Sequence, residues 1–205
     1  MFRTLFFRTL PGLSLQPESL WHELEAAYQE PQRHYHTLAH LDALAEVLAP
    51  LWTEVDDAAT LVLAIAYHDA VYDPARPDNE ERSAELAAAR TDGFLAAPQQ
   101  QRLRRHILAT KAHQPAGDPD TDLFTDADLS ILGAPADSYD RYAADVRAEY
   151  SIYPDALYRP GRAAVLRRFL AADRVFKTPY FYNQYEASAR ANLQRELSRL
   201  EAPDS

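Results

Sequence analysis

No cysteine occurs anywhere in the chain, which excludes disulfides, thiolate metal sites and cysteine nucleophiles. Lysine is nearly absent as well: only Lys111 and Lys177 stand among 21 basic residues, against 31 acidic ones, for a formal net charge of -10 and a pI near 5.1. Such a balance offers no basic face for phosphates in series, so binding to a nucleic acid polymer or to an anionic membrane is not expected. A small anionic substrate stays compatible if positive charge gathers locally. The five glycines leave no G-x-x-x-x-G-K-[ST] and no G-x-G-x-x-G phosphate loop. Four isoleucines and seven valines are too few for a sizeable sheet. No segment approaches an uncharged membrane span, and the N-terminal MFRTLFFRTLPGL has neither the apolar core nor the small-residue cleavage site of a secretory signal. The sequence reads as that of a soluble cytoplasmic protein.

What is abundant is alanine, leucine, glutamate and arginine, the strong helix formers, and the expected fold class is all-α. Without a repeat, a low-complexity linker or a step in composition, residues 1–205 read as one helical domain. Periodicity and punctuation predict helices over 17–29, 37–51, 56–69, 79–96, 99–113, 121–132, 137–151, 160–176 and 181–200. The breaks fall at DPARPDN, QPAGDPD, LGAP and YRPG, all turn or helix-start chemistry.

Three stretches carry candidate chemistry. RHYHTLAHLD, 33–42, puts three of the chain's seven histidines within seven positions. On a helix from Thr37, His40 joins Leu44, Val47 and Leu51 on one inward stripe, and His36 sits at its N-terminal edge. TLVLAIAYHDAVYDP, 60–74, is a nearly continuous apolar run ending in His68 and Asp69. A carboxylate at the end of a buried helix costs several kcal/mol unless it is paired or bound to a cation. Positions 34–75 contain no lysine or arginine to pair with it, whereas one metal ion satisfies Asp69 and neutral His68 together. FTDADLSILG, 124–133, offers Asp126 and Asp128; two positions apart on a helix, one is expected inside and the other in water.

The ordered set of His40, His68, Asp69 and an aspartate of DADLS resembles the HD superfamily of metal-dependent phosphohydrolases, in particular a small bacterial group of predicted HD phosphohydrolases. The resemblance runs over roughly 33–195 through RHYHTLAH, YHDAVYDP, DNEERSAELA, DADLSILG and FKTPYFYNQYEASARANL. It implies a helical bundle in which His40, His68, Asp69 and Asp128 hold a divalent transition metal, with Asp69 also orienting the attacking water. More distantly, YHTLAH resembles the Y-H-N-x-x-H signature of cyclic nucleotide phosphodiesterases, and ADLS matches their last metal aspartate. That likeness implies that His36 is the general acid, and favours Asp128 over Asp126. Two departures limit it: Thr37 stands where those enzymes have asparagine, and the extra histidine after their HD pair is absent from HDAVYDP. A second metal and cyclic nucleotide specificity therefore lie outside what the resemblance implies. Glu81, in NEERSA, is implied behind the ligands.

Two imidazoles with two carboxylates form a mixed nitrogen and oxygen site suited to manganese, iron, cobalt, nickel or zinc. The expected function is hydrolysis of a small phosphate ester, a nucleotide or phosphorylated metabolite, by a metal-activated water. Substrate charge requires donors, and LRRHILATKAHQ, 103–114, supplies them. Lys111 stands out in a chain that chooses arginine nineteen times against two and is a candidate phosphate contact; His113, in ATKAH, is a candidate to contact the phosphate or to stand behind the metal ligands. Two other readings, a two-iron oxygenase and a metal- or nucleotide-binding module without turnover, use the same residues. The sequence leaves the oligomeric state open.

Overall fold

A computed structural model describes residues 1–10 and 16–202; residues 11–13 of the N-terminal segment weighed as a signal lie outside the described residues. Among the described residues the regular elements are all helices. They are α1 Phe2–Thr9, α2 Pro17–Tyr28, α3 Leu38–Leu48, α4 Ala58–Tyr67, α5 Asn79–Thr91, α6 Ala97–Ala109, α7 Pro119–Asp128, α8 Ala136–Glu149, α9 Asp155–Ala171 and α10 Pro179–Glu201. Short 3-10 turns, Ala49–Glu54 and Leu129–Gly133, follow α3 and α7. The fold is all-α, and no helix is long and apolar enough to cross a membrane among the described residues. The chain divides into two compact units, Met1–Asp128 and Leu129–Ser205.

The first unit is built around α4, whose residues from Thr60 to Tyr67 are all buried. A helix that is apolar on every side belongs in a core, and α1, α3, α5, α6 and α7 all pack on it. Its start is fixed chemically. Asp57 caps it by accepting from the Thr60 backbone N–H at 3.1 Å and the Thr60 hydroxyl at 2.6 Å. Helix α1 is not among the expected helices; its Phe2 and Phe6 are fully buried, the Phe6 ring lying 5.6 Å from that of Trp21. On α3 the buried stripe is His40, Leu41, Leu44, Ala45 and Leu48, with Val47 only half-buried. α5 stops at Thr91 rather than at 96, because Gly93 takes φ 76°, outside the helical region.

In the second unit, the 3-10 turn Leu129–Gly133, α8 and α9 gather on α10. Buried polar groups there find partners within the unit. The Asn192 amide donates to the carbonyls of Leu132 at 2.9 Å and Ala134 at 2.8 Å. Glu196 accepts from Arg162 and from the Tyr139 hydroxyl. Helix α9 starts at Asp155, five residues before the expected start at Pro160, which lies inside it. Its first turn is secured by bonds from the backbone N–H groups of Leu157 and Tyr158 to the Pro154 carbonyl and by the Arg147–Asp155 pair.

Candidate metal centre

Three helices deliver the candidate ligands, and a buried clamp brings two of those helices into register. Asp120, at the start of α7 and fully buried, accepts the backbone N–H of Asp56 at 2.9 Å and of Asp57 at 2.9 Å, just ahead of α4. Arg102 neutralises it from 3.1 Å. Both α4 and α7 are ten residues long, so both finish about 15 Å further on. There, His68 and Asp69 follow the last turn of α4 and Asp128 closes α7. Each helix C-terminus carries partial negative charge, so the two together favour a cation. His40 comes from the other direction, in the first turn of α3.

The donor atoms converge. His40 Nε2 lies 3.2 Å from His68 Nε2 and 3.1 Å from Asp128 Oδ1. His68 Nε2 lies 2.9 Å from Asp69 Oδ2 and 3.6 Å from Asp128 Oδ1, and His40 Nε2 is 3.9 Å from Asp69 Oδ2. Neighbouring ligands of an ion with bonds of about 2.1 Å stand about 3.0 Å apart at right angles and about 3.4 Å apart in a tetrahedron; the edges of 2.9, 3.1 and 3.2 Å match this, those of 3.6 and 3.9 Å are longer, and His40, His68 and Asp69 form a group compact enough for one ion.

The tautomer of His68 fits as well. Its Nδ1 lies 2.9 Å from the Ile65 carbonyl, which can only accept, so the proton sits on Nδ1 and Nε2 turns a lone pair toward the cluster. Two ring nitrogens facing each other at 3.2 Å need a proton or a cation between them. No lysine or arginine forms an ion pair with Asp69 or Asp128 among the described residues; their partners are all histidines.

The field of the cluster follows from this shortage of positive charge. Burial opposes ionisation of Asp69 and Asp128, yet the histidines around them hold both carboxyls well below the ordinary carboxylate range. Burial likewise opposes charge on His68, but Asp69 and Asp128 outweigh it and raise its affinity for a proton well above that of a free histidine. A buried N₂O₂ set that draws a proton into its centre has the charge balance to draw a divalent ion there.

His36 lies at the rim. Its Nε2 is 3.9 Å from Asp69 Oδ2, and its side chain, 21% exposed, is the most accessible in the group. Its ring lies 4.4 Å from that of Tyr72 and 5.0 Å, edge-on, from that of Tyr35. His113 is also brought in: its Nε2–H donates to Asp128 Oδ2 at 2.8 Å, leaving Oδ1 to face the imidazoles. Of the two roles expected for His113, contact with a phosphate or support behind the ligands, the bond to the candidate ligand Asp128 matches the second.

Lys111 and Glu81 are brought to each other rather than to the donors. The Lys111 ammonium donates to Glu81 at 2.6 and 2.8 Å and to the Pro77 carbonyl at 2.6 Å, which uses its three protons. Two opposite charges, each about 40% exposed, meet where α5 begins and α6 has ended. The expectation that one aspartate of DADLS faces water is corrected. Asp126 is fully buried, because α7 is covered on nearly every side, Thr121, Leu123, Phe124, Thr125 and Ala127 included. Sequence reasoning passed over Arg33, whose side chain is fully buried and whose guanidinium bonds the backbone carbonyls of Asp69 and Ala70. The available signal was its position, as the last arginine before the run 34–75, which has neither lysine nor arginine.

No protein-family model, no curated protein and no solved structure matches this chain.

Proposed function

We propose that this chain is a cytoplasmic metal-dependent phosphohydrolase of the HD type, acting on a small phosphate ester such as a nucleotide or phosphorylated metabolite. The observation that carries the reading is the convergence of His40 Nε2, His68 Nε2 and Asp69 Oδ2, with Asp128 Oδ1 beside the two imidazoles, without a lysine or arginine among them. These residues would hold the ion, which by the chemistry of the set would be manganese, iron, cobalt, nickel or zinc. When bound it supplies an acidified water and a positive charge beside a phosphoryl oxygen.

The chain's own groups account for the rest. Asp69 sits between His68 and the rim, where its carboxylate accepts a hydrogen bond from the attacking water and fixes its direction. His36 is the acid. Its partly exposed imidazole, next to Asp69 and backed by Tyr72, hands a proton to the departing oxygen. His113 restrains the far oxygen of Asp128, so that only Oδ1 turns inward. With Lys111 engaged by Glu81, the charge of the phosphate is met by the ion and by His36 rather than by a separate lysine.

The test is elemental analysis of the purified protein and of His68→Ala and Asp69→Ala, followed by a phosphate-ester panel with the metal found. About one ion per chain, lost in both variants together with turnover, is the expected result. Two irons with oxygen consumption would replace the reading by an oxygenase. Nucleotides that raise the melting temperature without being cleaved would leave a binding module.

A further inference from the structure

We propose that Arg33 is a positioning residue that sets the approach of His36 to Asp69 by holding the backbone of both with one guanidinium. The inference rests on the metal-centre reading above. It concerns a cation that meets the backbone of Asp69 and not its carboxylate.

Arg33 is 5% exposed, and its charge is not spent on the nearest functional carboxylate. Nη1 donates to the Asp69 carbonyl at 2.6 Å and, more weakly, to the His36 carbonyl at 3.4 Å; Nη2 donates to the Ala70 carbonyl at 3.1 Å. Nε donates to Glu30 at 3.0 Å. The guanidinium carbon lies 5.1 Å from the centre of the Tyr28 ring and 5.3 Å from that of Tyr72, and the Tyr72 ring in turn lies 4.4 Å from that of His36, tilted by 33°.

Each bond has a consequence for the centre. Beyond the last turn of α4 the backbone carbonyls have run out of helical N–H partners, and the two that Arg33 takes belong to a ligand and its neighbour. Fixing the carbonyl of Asp69 fixes the peptide that carries its side chain, so the carboxylate is aimed at His68 while its oxygens stay clear of arginine. The same guanidinium reaches the loop before α3 through the His36 carbonyl and supports the His36 ring through Tyr72. One group therefore sets both ends of the 3.9 Å separation between His36 Nε2 and Asp69 Oδ2. A lysine cannot do this, because an ammonium has neither the planar fork that spans two adjacent carbonyls nor a flat face for two aromatic rings.

The experiment is titration of metal-free protein with Co(II), read by calorimetry and by the visible absorption of the bound ion. It compares the wild type, Arg33→Lys, and Arg33→Ala with and without methylguanidinium. The expected result is a Kd for Co(II) raised about 10- to 100-fold in Arg33→Lys with an altered spectrum. In Arg33→Ala the wild-type spectrum should return saturably as methylguanidinium fills the gap between Tyr28 and Tyr72. If the wild type binds Co(II) and both variants bind it with the same Kd and spectrum, the role of Arg33 falls while the metal centre stands. If the wild type itself binds no Co(II), the metal-centre reading falls first. Loss of helical circular dichroism in both variants would also overturn the proposal, because Arg33 would then be a folding residue.

Discussion

His113 donates from Nε2 to Asp128 Oδ2 at 2.8 Å, and it does so from a backbone held at φ 55°, the only positive φ of a non-glycine residue among those described. A left-handed histidine costs about 1 kcal/mol or more, and it persists here because the loop after α6 turns back to bring the ring onto α7. Asparagine adopts this conformation readily but is too short to reach Asp128. His113→Asn should therefore leave the melting temperature of the metal-free protein nearly unchanged while weakening Mn(II) binding about 10- to 100-fold. Calorimetric titration of the two proteins checks this, and equal affinities would reduce His113 to a turn residue.

His106 gives the protein an acid-sensitive core. It is fully buried, its Nδ1 lies 2.7 Å from the Thr121 hydroxyl, and its Nε2 has no hydrogen-bond partner. Burial pushes its pKa down from 6.5 to about 4. Because the folded value is depressed, stability is complete above pH 6.5 and declines as pH falls toward 4, where the unfolded chain takes up a proton that the core refuses. The loss amounts to roughly 3 kcal/mol. His106→Gln keeps a polar partner for Thr121 and does not titrate. Its melting temperature should fall less than that of the wild type between pH 6.5 and 4, and parallel curves would refute the assignment.

These two histidines show which parts of the molecule the sequence could disclose. The apolar run Leu61–Tyr67 can only be a core helix, and His68 and Asp69 at its end have no local cation, so α4 and its two candidate ligands are legible. His40 is legible for the same reason, as a polar residue on an inward stripe. His113 is not: its meeting with Asp128 depends on a backbone turn that no periodicity announces. Lys111 looked special by its rarity, but rarity does not say which carboxylate comes within reach, and Glu81 does. Pro160 read as a helix start because proline favours the first turn, yet α9 begins at Asp155 and carries it inside.

Asp120 holds the starts of α4 and α7 together, and its removal should be felt as stability rather than as lost chemistry. Asp120→Ala leaves the N–H groups of Asp56 and Asp57 without their acceptor and Arg102 with one carboxylate fewer. Hydrogen bonds to a charged group contribute about 1.5–3 kcal/mol each, so a net loss of roughly 3 kcal/mol is expected. For a chain of this size that lowers the melting temperature by about 6–12 °C. Asp120→Asn retains one acceptor and should fall between. Calorimetric melting of the three proteins checks the order, and an Asp120→Ala protein as stable as the wild type would mean that the clamp contributes nothing.

Two glycines of the second unit should respond in opposite directions to the same substitution. A Cβ on Gly133 would lie 2.6 Å from Tyr185 Cβ, 2.7 Å from its carbonyl oxygen and 2.9 Å from its Cα. Those atoms belong to the body of α10 and cannot swing aside, so the turn at 129–133 approaches the helix this closely only because the residue has no side chain. Gly133→Ala should cost about 1–3 kcal/mol through overpacking. Gly161 lies exposed inside α9 with nothing within 4 Å of the position a Cβ would take. There alanine removes backbone freedom from the unfolded chain and should stabilise by about 0.5–1 kcal/mol. Urea denaturation of the two variants beside the wild type reads both effects, and midpoints that move in the same direction would contradict the close packing of the turn on α10.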